Sequence, residues 1–169
     1  MEQQYESGSK AAPMLGAAGG GCAVLIGLIL LIAFFLPWTA GYDGDESAFD
    51  AVKEDLSADS ALGETLYKLI LGSTALAGCG SVIFGLGLAA ASFIARRNAA
   101  LRSWMASSVG GMVILAAFMP CLLWTYALLG DYAEDIKIGI WISLGAAALL
   151  VVASLIGLLS AFMAQREQS

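Results

Sequence analysis

Histidine is absent from this 169-residue chain, charged side chains make up only 13% of it, and its three cysteines are scattered singly. Without histidine or a cysteine pair there is no ligand set for zinc, and without Cys-x-x-Cys there is no thiol-redox motif. The scarcity of charge excludes more. A water-facing surface cannot be built from 59% hydrophobic residues at a mean hydropathy of +0.81, so a soluble globule is ruled out. Within the apolar runs themselves no Asp, Glu, Lys or Arg is expected. Ionisable groups in hydrocarbon are expensive and are retained mainly for proton relay, ion coordination or catalysis. Their absence argues against an enzyme or a pump, and no cofactor is implied. Cys22, Cys79 and Cys121 all fall inside apolar runs, where they read as small buried apolar side chains.

What is present is four apolar runs, at about 17–36, 69–95, 105–129 and 138–164. Each is long enough for a helix to cross roughly 30 Å of hydrocarbon. The fold class is therefore all-α: a polytopic membrane protein whose membrane domain, 17–164, is a four-helix transmembrane bundle between tails at 1–16 and 165–169. Phe35-Leu36-Pro37-Trp38 reads as the first helix arriving at an interface, since proline ends the backbone ladder and tryptophan favours the headgroup level. Trp104, Trp124, Trp141, Tyr126 and Tyr132 lie near other span ends and read as further interfacial anchors, with packing inside the bundle as the alternative for Trp141. Pro120 implies a kink in the third span.

Charge sets the expected orientation. The link between the second and third runs carries Arg96, Arg97 and Arg102 and no acid, which places it in the cytoplasm. Four crossings then put both termini on that side. Inner segments hold five cations against three acids; outer loops hold three lysines against eleven acids. An exterior this acidic excludes nucleic acid as a partner, and the inner arginines suit anionic lipid headgroups.

The outer loop at 39–68 is the only segment large enough for a recognition surface. Asp43, Asp45, Glu46, Asp50, Glu54 and Asp55 are its candidate interaction residues. Ser47-Ala48-Phe49-Asp50 has the form of a capping box, and Phe49, Val52 and Leu56 follow at helical spacing. A short amphipathic helix is expected there, with its apolar edge on the span ends or in the interface. Asp43-Gly44-Asp45-Glu46 concentrates hard oxygen ligands but lacks the spacing of a calcium loop, so a solvated acidic surface is the preferred reading.

In the second run, Ser73, Ala77, Ser81, Gly85 and Ala89 recur every fourth residue, and Ala153, Gly157 and Ala161 repeat the pattern in the fourth. Small residues on one helix face let backbones approach closely where lipid supplies no hydrophobic drive. These stripes are expected to pack the helices of the bundle against each other or against another subunit. Gly16 and Gly20 open a similar face on the first run. Ile32-Ala33-Phe34-Phe35-Leu36-Pro37 and Leu115-Ala116-Ala117-Phe118-Met119-Pro120 hint at a duplicated hairpin.

The Phe35-Leu36-Pro37-Trp38 end of the first span, the acidic loop and the Gly139-Ile140-Trp141-Ile142-Ser143-Leu144-Gly145 opening of the fourth together resemble small bacterial four-span membrane proteins of uncharacterised function. That resemblance implies a bacterial cytoplasmic membrane and no catalytic residue. The expected role is a non-enzymatic interaction or accessory subunit that contacts lipid and either a membrane-protein partner or another copy of itself. The alternative is a self-associating pore or carrier for a small solute.

Overall fold

The computed structural model describes residues 2–41, 44–50, 72–94, 98–130 and 136–166. Its elements are helix α1 (Glu2–Phe34), strands β1 (Pro37–Gly41) and β2 (Gly44–Ser47), and helices α2 (Ser73–Ile94), α3 (Ala99–Leu129) and α4 (Ile138–Arg166). All four helices are long and apolar enough to cross a membrane, the span within α1 being Ala11–Phe34. The chain is a four-span bundle in contact with lipid; Leu25, Ile83, Ile114 and Leu155 are among the large apolar side chains on its outside.

Glycine is a poor helix former in water, costing about 1 kcal/mol per residue relative to alanine. Gly16, Gly19, Gly20, Gly21 and Gly27 nevertheless all lie inside α1. In hydrocarbon the alternative to helix is an unsatisfied backbone N–H and C=O, at several kcal/mol each, so the helix wins.

Two helix starts differ from the hydropathy reading. α1 reaches back to Glu2 through Pro13, so the tail and the first span are one helix. α3 begins at Ala99 rather than near 105, because Asn98 caps it. The Asn98 side chain accepts the Leu101 N–H at 3.0 Å, and its carbonyl accepts that of Arg102 at 3.3 Å. Arg102 is thereby drawn out of the expected loop and into the span. α3 then continues as one helix through Pro120.

The cysteines also differ from expectation: Cys22, Cys79 and Cys121 are exposed on the outer faces of the helices. Within a continuous apolar run, composition cannot tell a lipid-facing position from a buried one. The rest of the helix expected after Asp50, the acids Asp43, Glu54 and Asp55, the arginines Arg96 and Arg97, and Tyr132 lie outside the described residues.

α1 packs against α2 and α4, and α3 packs against the same two, giving a closed antiparallel square. Six of the ten residues in the central cluster are alanines, including Ala23, Ala77, Ala147 and Ala153. Such a core buries little volume, so close approach of backbones has to do the holding. Between α1 and α2 the approach is made by facing glycines. A Cβ added at Gly20 would lie 2.5 Å from the Gly85 carbonyl oxygen, and one at Gly27 would lie 2.7 Å from that of Gly78. The two pairs are seven residues apart on both helices, a spacing that keeps one seam facing its partner. On its other side α1 meets α4, where a Cβ at Gly19 would sit 3.0 Å from the Ala153 oxygen and 3.1 Å from the Gly157 nitrogen.

Gly85→Leu should therefore force α1 and α2 apart and lower stability in lipid or mild detergent by about 1–3 kcal/mol or more. Gly21→Ala, at a position where a Cβ meets nothing within 4 Å, should leave it unchanged. Equal unfolding midpoints for the two variants would contradict the glycine seam.

Candidate functional site

Polar side chains gather at the two ends of the bundle, and each end is closed by one large residue. At the end where α1 and α4 carry Ala12 and Ser160, that residue is Arg102, 0% exposed. Its guanidinium donates to Ser160 Oγ at 3.3 Å and to the Ser92 carbonyl at 3.1 Å. The Ser160 hydroxyl donates in turn to the Ala12 carbonyl at 2.6 Å, while that of Ser92 donates to the Leu88 carbonyl at 2.8 Å. One arginine on α3 thus ties α2 directly and α1 through a serine of α4. Gly16 lies against the same knot, where a Cβ would collide with the hydroxyls of both Ser92 and Ser160. Arginine suits the place because its planar, always-charged fork serves two acceptors at once.

A second tie lies deeper. Ser154 Oγ donates to the Ala106 carbonyl at 2.8 Å, joining α4 to α3, and Gly110 leaves room for it. In these bonds the serine protons are committed to backbone carbonyls. The arrangement can hold four helices in register; among the described residues no group of His, Cys, Asp or Glu is placed to hold a metal ion.

At the opposite end, β1 and β2 form an antiparallel hairpin with Thr39 opposite Glu46 and Ala40 opposite Asp45. The register shifts between Pro37 and Thr39, and Trp38 sits in that irregularity. A bulge of this kind re-aims a side chain. Here the indole turns into the bundle: Trp38 is 2% exposed, and its Nε1 donates to the Ala33 carbonyl at 2.7 Å. The ring lies over Gly139, where a Cβ would collide with it. Trp38 is therefore a buried seal, not the interfacial anchor expected from its position after Pro37. Its indole partner is a carbonyl in the last turn of α1 that also accepts the Leu36 N–H at 3.2 Å, so the indole is a second donor to the same oxygen.

The hairpin also binds the start of α4. The Lys137 N–H donates to the Trp38 carbonyl at 2.9 Å, Thr39 bridges to Ile136, and Lys137 Nζ lies 3.2 Å from Asp45. Both partners of that ion pair are partly exposed, so it contributes at most about 1 kcal/mol. Beyond β2 the chain turns helical at Ala48, with reciprocal capping. Ser47 Oγ accepts the Asp50 N–H at 3.1 Å, and the Asp50 carboxylate accepts the Ser47 hydroxyl at 2.6 Å and its N–H at 3.3 Å. Phe49 packs beside Phe35, ring centroids 5.0 Å apart and planes inclined at 40°.

Of the residues singled out from sequence, Ser73, Ala77, Ser81, Gly85, Ala153, Gly157 and Ala161 are buried, and Ala89 is half-buried. Glu46 is exposed, Asp45 is paired with Lys137, and Asp50 serves the cap. Trp104, Trp124 and Trp141 are exposed, the last two meeting edge to face. Arg102, Ser160, Ser92, Trp38 and Gly139 were not apparent as a set. Asn98 ahead of Ala99 was the available signal for the first, and Asp43-Gly44, a hairpin dipeptide, for the Trp38 end.

No protein-family model, curated protein or solved structure matches the chain.

Arg102→Ala should weaken the bundle by about 2–3 kcal/mol, since hydrogen bonds to a charged group are worth about 1.5–3 kcal/mol. Arg102→Lys, keeping charge without the fork, should fall between. Unfolding of the three proteins in the same lipid would check this, and an alanine variant as stable as the parent would contradict it.

Proposed function

We propose that the protein is a non-enzymatic interaction or accessory subunit of a bacterial cytoplasmic membrane, with both termini cytoplasmic, that engages a membrane-protein partner or a second copy of itself along α3. The observation that carries this reading is how little of α3 the bundle covers. Its span is 24% buried, against 39–44% for the other three. On the uncovered side Ser107 and Gly111 stand one turn apart, and a Cβ at Gly111 would meet nothing within 4 Å. That small-x-x-x-small spacing gives another helix room to approach closely. The stripes on α2 and α4 offer no such room, because their residues already face inward.

The hydroxyls of Ser92, Ser143, Ser154 and Ser160 all donate to carbonyls, which supports a holding rather than a reacting role. The arginines of the 96–102 segment support the cytoplasmic side for the Arg102 end. The resemblance to small bacterial four-span proteins supports the choice of membrane. At the hairpin end, Glu46 remains exposed as a point of contact outside the bilayer.

A self-associating pore or carrier is the second reading. Thr74 and Ser81 favour it: both are buried on the inward line of α2, and neither hydroxyl has a partner among the described residues. Solute flux in liposomes, raised by the parent and abolished by Thr74→Val with Ser81→Ala, would select that reading.

The first reading is tested by a photo-crosslinking amino acid placed at Gly111 and, as a lipid-facing control, at Gly21. Capture of a discrete protein species from Gly111 and none from Gly21 is expected in the native membrane. Equal capture from both positions would count against a partner on α3.

A further inference from the structure

The seam between α2 and α3 is filled differently from the other three. Where α1 meets α2 and α4, backbones touch, and where α4 meets α3, a serine bonds a carbonyl. Between α2 and α3 two methionines enter two glycine notches. A Cβ built on Gly80 would lie 2.5 Å from Met112 Sδ, and one on Gly87 would lie 2.9 Å from Met105 Sδ. The two methionines are seven residues apart, as are the two glycines, so both pegs follow one line along the seam. In each pair the sulfur is the methionine atom nearest the notch, ahead of Cε and Cγ. An unbranched, polarisable thioether suits such a gap because it bends to fit it.

The same placement makes the seam vulnerable at one atom. Met105 and Met112 are half-buried, so neither thioether is sealed from a small uncharged solute, and Met112 packs against the central alanine cluster. Oxidation to a sulfoxide adds an oxygen to the sulfur and turns an apolar side chain into a polar one. The sulfur that would carry this oxygen lies where a methyl group on the facing glycine does not fit. Gly80 and Gly87 are interior residues of α2, where the peptide N–H groups are engaged in the helix ladder. The new acceptor therefore meets no donor on the α2 backbone, and withdrawal of α3 is the way to relieve it.

We propose that Met105 and Met112 form a peroxide-sensitive clasp, a modification site whose oxidation to sulfoxide parts α3 from α2. In the step, a lone pair of the thioether sulfur attacks one oxygen of hydrogen peroxide. The S–O bond forms as the O–O bond breaks, the sulfur gives up two electrons, and the departing hydroxide takes the remaining proton and leaves as water. Methionine sulfoxide is enzymatically reducible, so the clasp can be closed again. The proposal stands on the geometry of this seam and is independent of the role proposed above.

The test uses the full-length protein in nanodiscs, with Cys22→Ala and nitroxide labels on the exposed thiols of Cys79 on α2 and Cys121 on α3. Hydrogen peroxide is added, peptide mass spectrometry locates the added oxygen, and the distance between labels and the unfolding rate are measured before and after. Sulfoxide at Met105 or Met112 should lengthen that distance and speed unfolding about tenfold, the consequence of an unsatisfied polar group in a packed interface. Methionine sulfoxide reductases acting on the two epimers should reverse both changes. Met105→Leu with Met112→Leu, which conserves volume, should abolish the response, and Met14→Leu with Met163→Leu should retain it. Sulfoxide at Met105 and Met112 with distance and rate unchanged would overturn the proposal. So would thioethers at both positions that stay unoxidised while the exposed Met14 reacts, or a full response in the Met105→Leu, Met112→Leu protein. If that variant does not fold, the responses of the parent and of the Met14→Leu, Met163→Leu protein decide alone.

Discussion

Two glycine pairs, Gly20 with Gly85 and Gly27 with Gly78, let the backbones of α1 and α2 touch, and the rest of the bundle is placed by that contact. In lipid no hydrophobic force draws helices together, so association relies on packing and weak polar contacts. A Cα–H···O contact is worth about 0.5–1 kcal/mol, and it forms only where no side chain intervenes. Once α1 is seated against α2, its Gly19 meets α4, and α1 becomes the common wall of both seams. Gly16 then lies against the Arg102 knot, while the last turn of α1 presents the Ala33 carbonyl to Trp38. Both closures of the bundle are consequences of where one glycine-rich helix sits.

Much of this architecture was legible before the structure. Span number and approximate position follow from the bilayer thickness acting on four apolar runs. The capping at Ser47 and Asp50 was legible because it is local, a matter of four consecutive residues. The α2 stripe could be read from its fourfold period. Its counterpart on α1 was only partly visible. Five glycines crowd the membrane span of α1, and nothing in the sequence says that Gly27 faces a neighbour while Gly21 faces open space.

The less legible features are those in which a side chain acts against its usual preference. Hydropathy assigns Arg102 to a loop, since it weighs the cost of burying the charge and takes no account of acceptors such as Ser160 and the Ser92 carbonyl, which the fold brings to the guanidinium. Hydropathy likewise leaves Trp38 at the surface. Its burial depends on a strand irregularity and on the missing side chain of Gly139, a hundred residues along the chain. Such pairings are long-range and carry no local pattern. The result is a bundle tied through Arg102 at one end and sealed by Trp38 at the other, with its least covered surface on α3.

The most direct test of the central claim is a carbon–carbon distance between Gly20 Cα and the Gly85 carbonyl carbon, measured by solid-state NMR on selectively labelled protein in lipid bilayers. The observed geometry puts the two atoms within about 5 Å, given standard bond lengths, so a strong cross-peak is expected at short mixing time. Absence of that cross-peak in folded protein, with intrahelical peaks of the same residues present, would contradict the account.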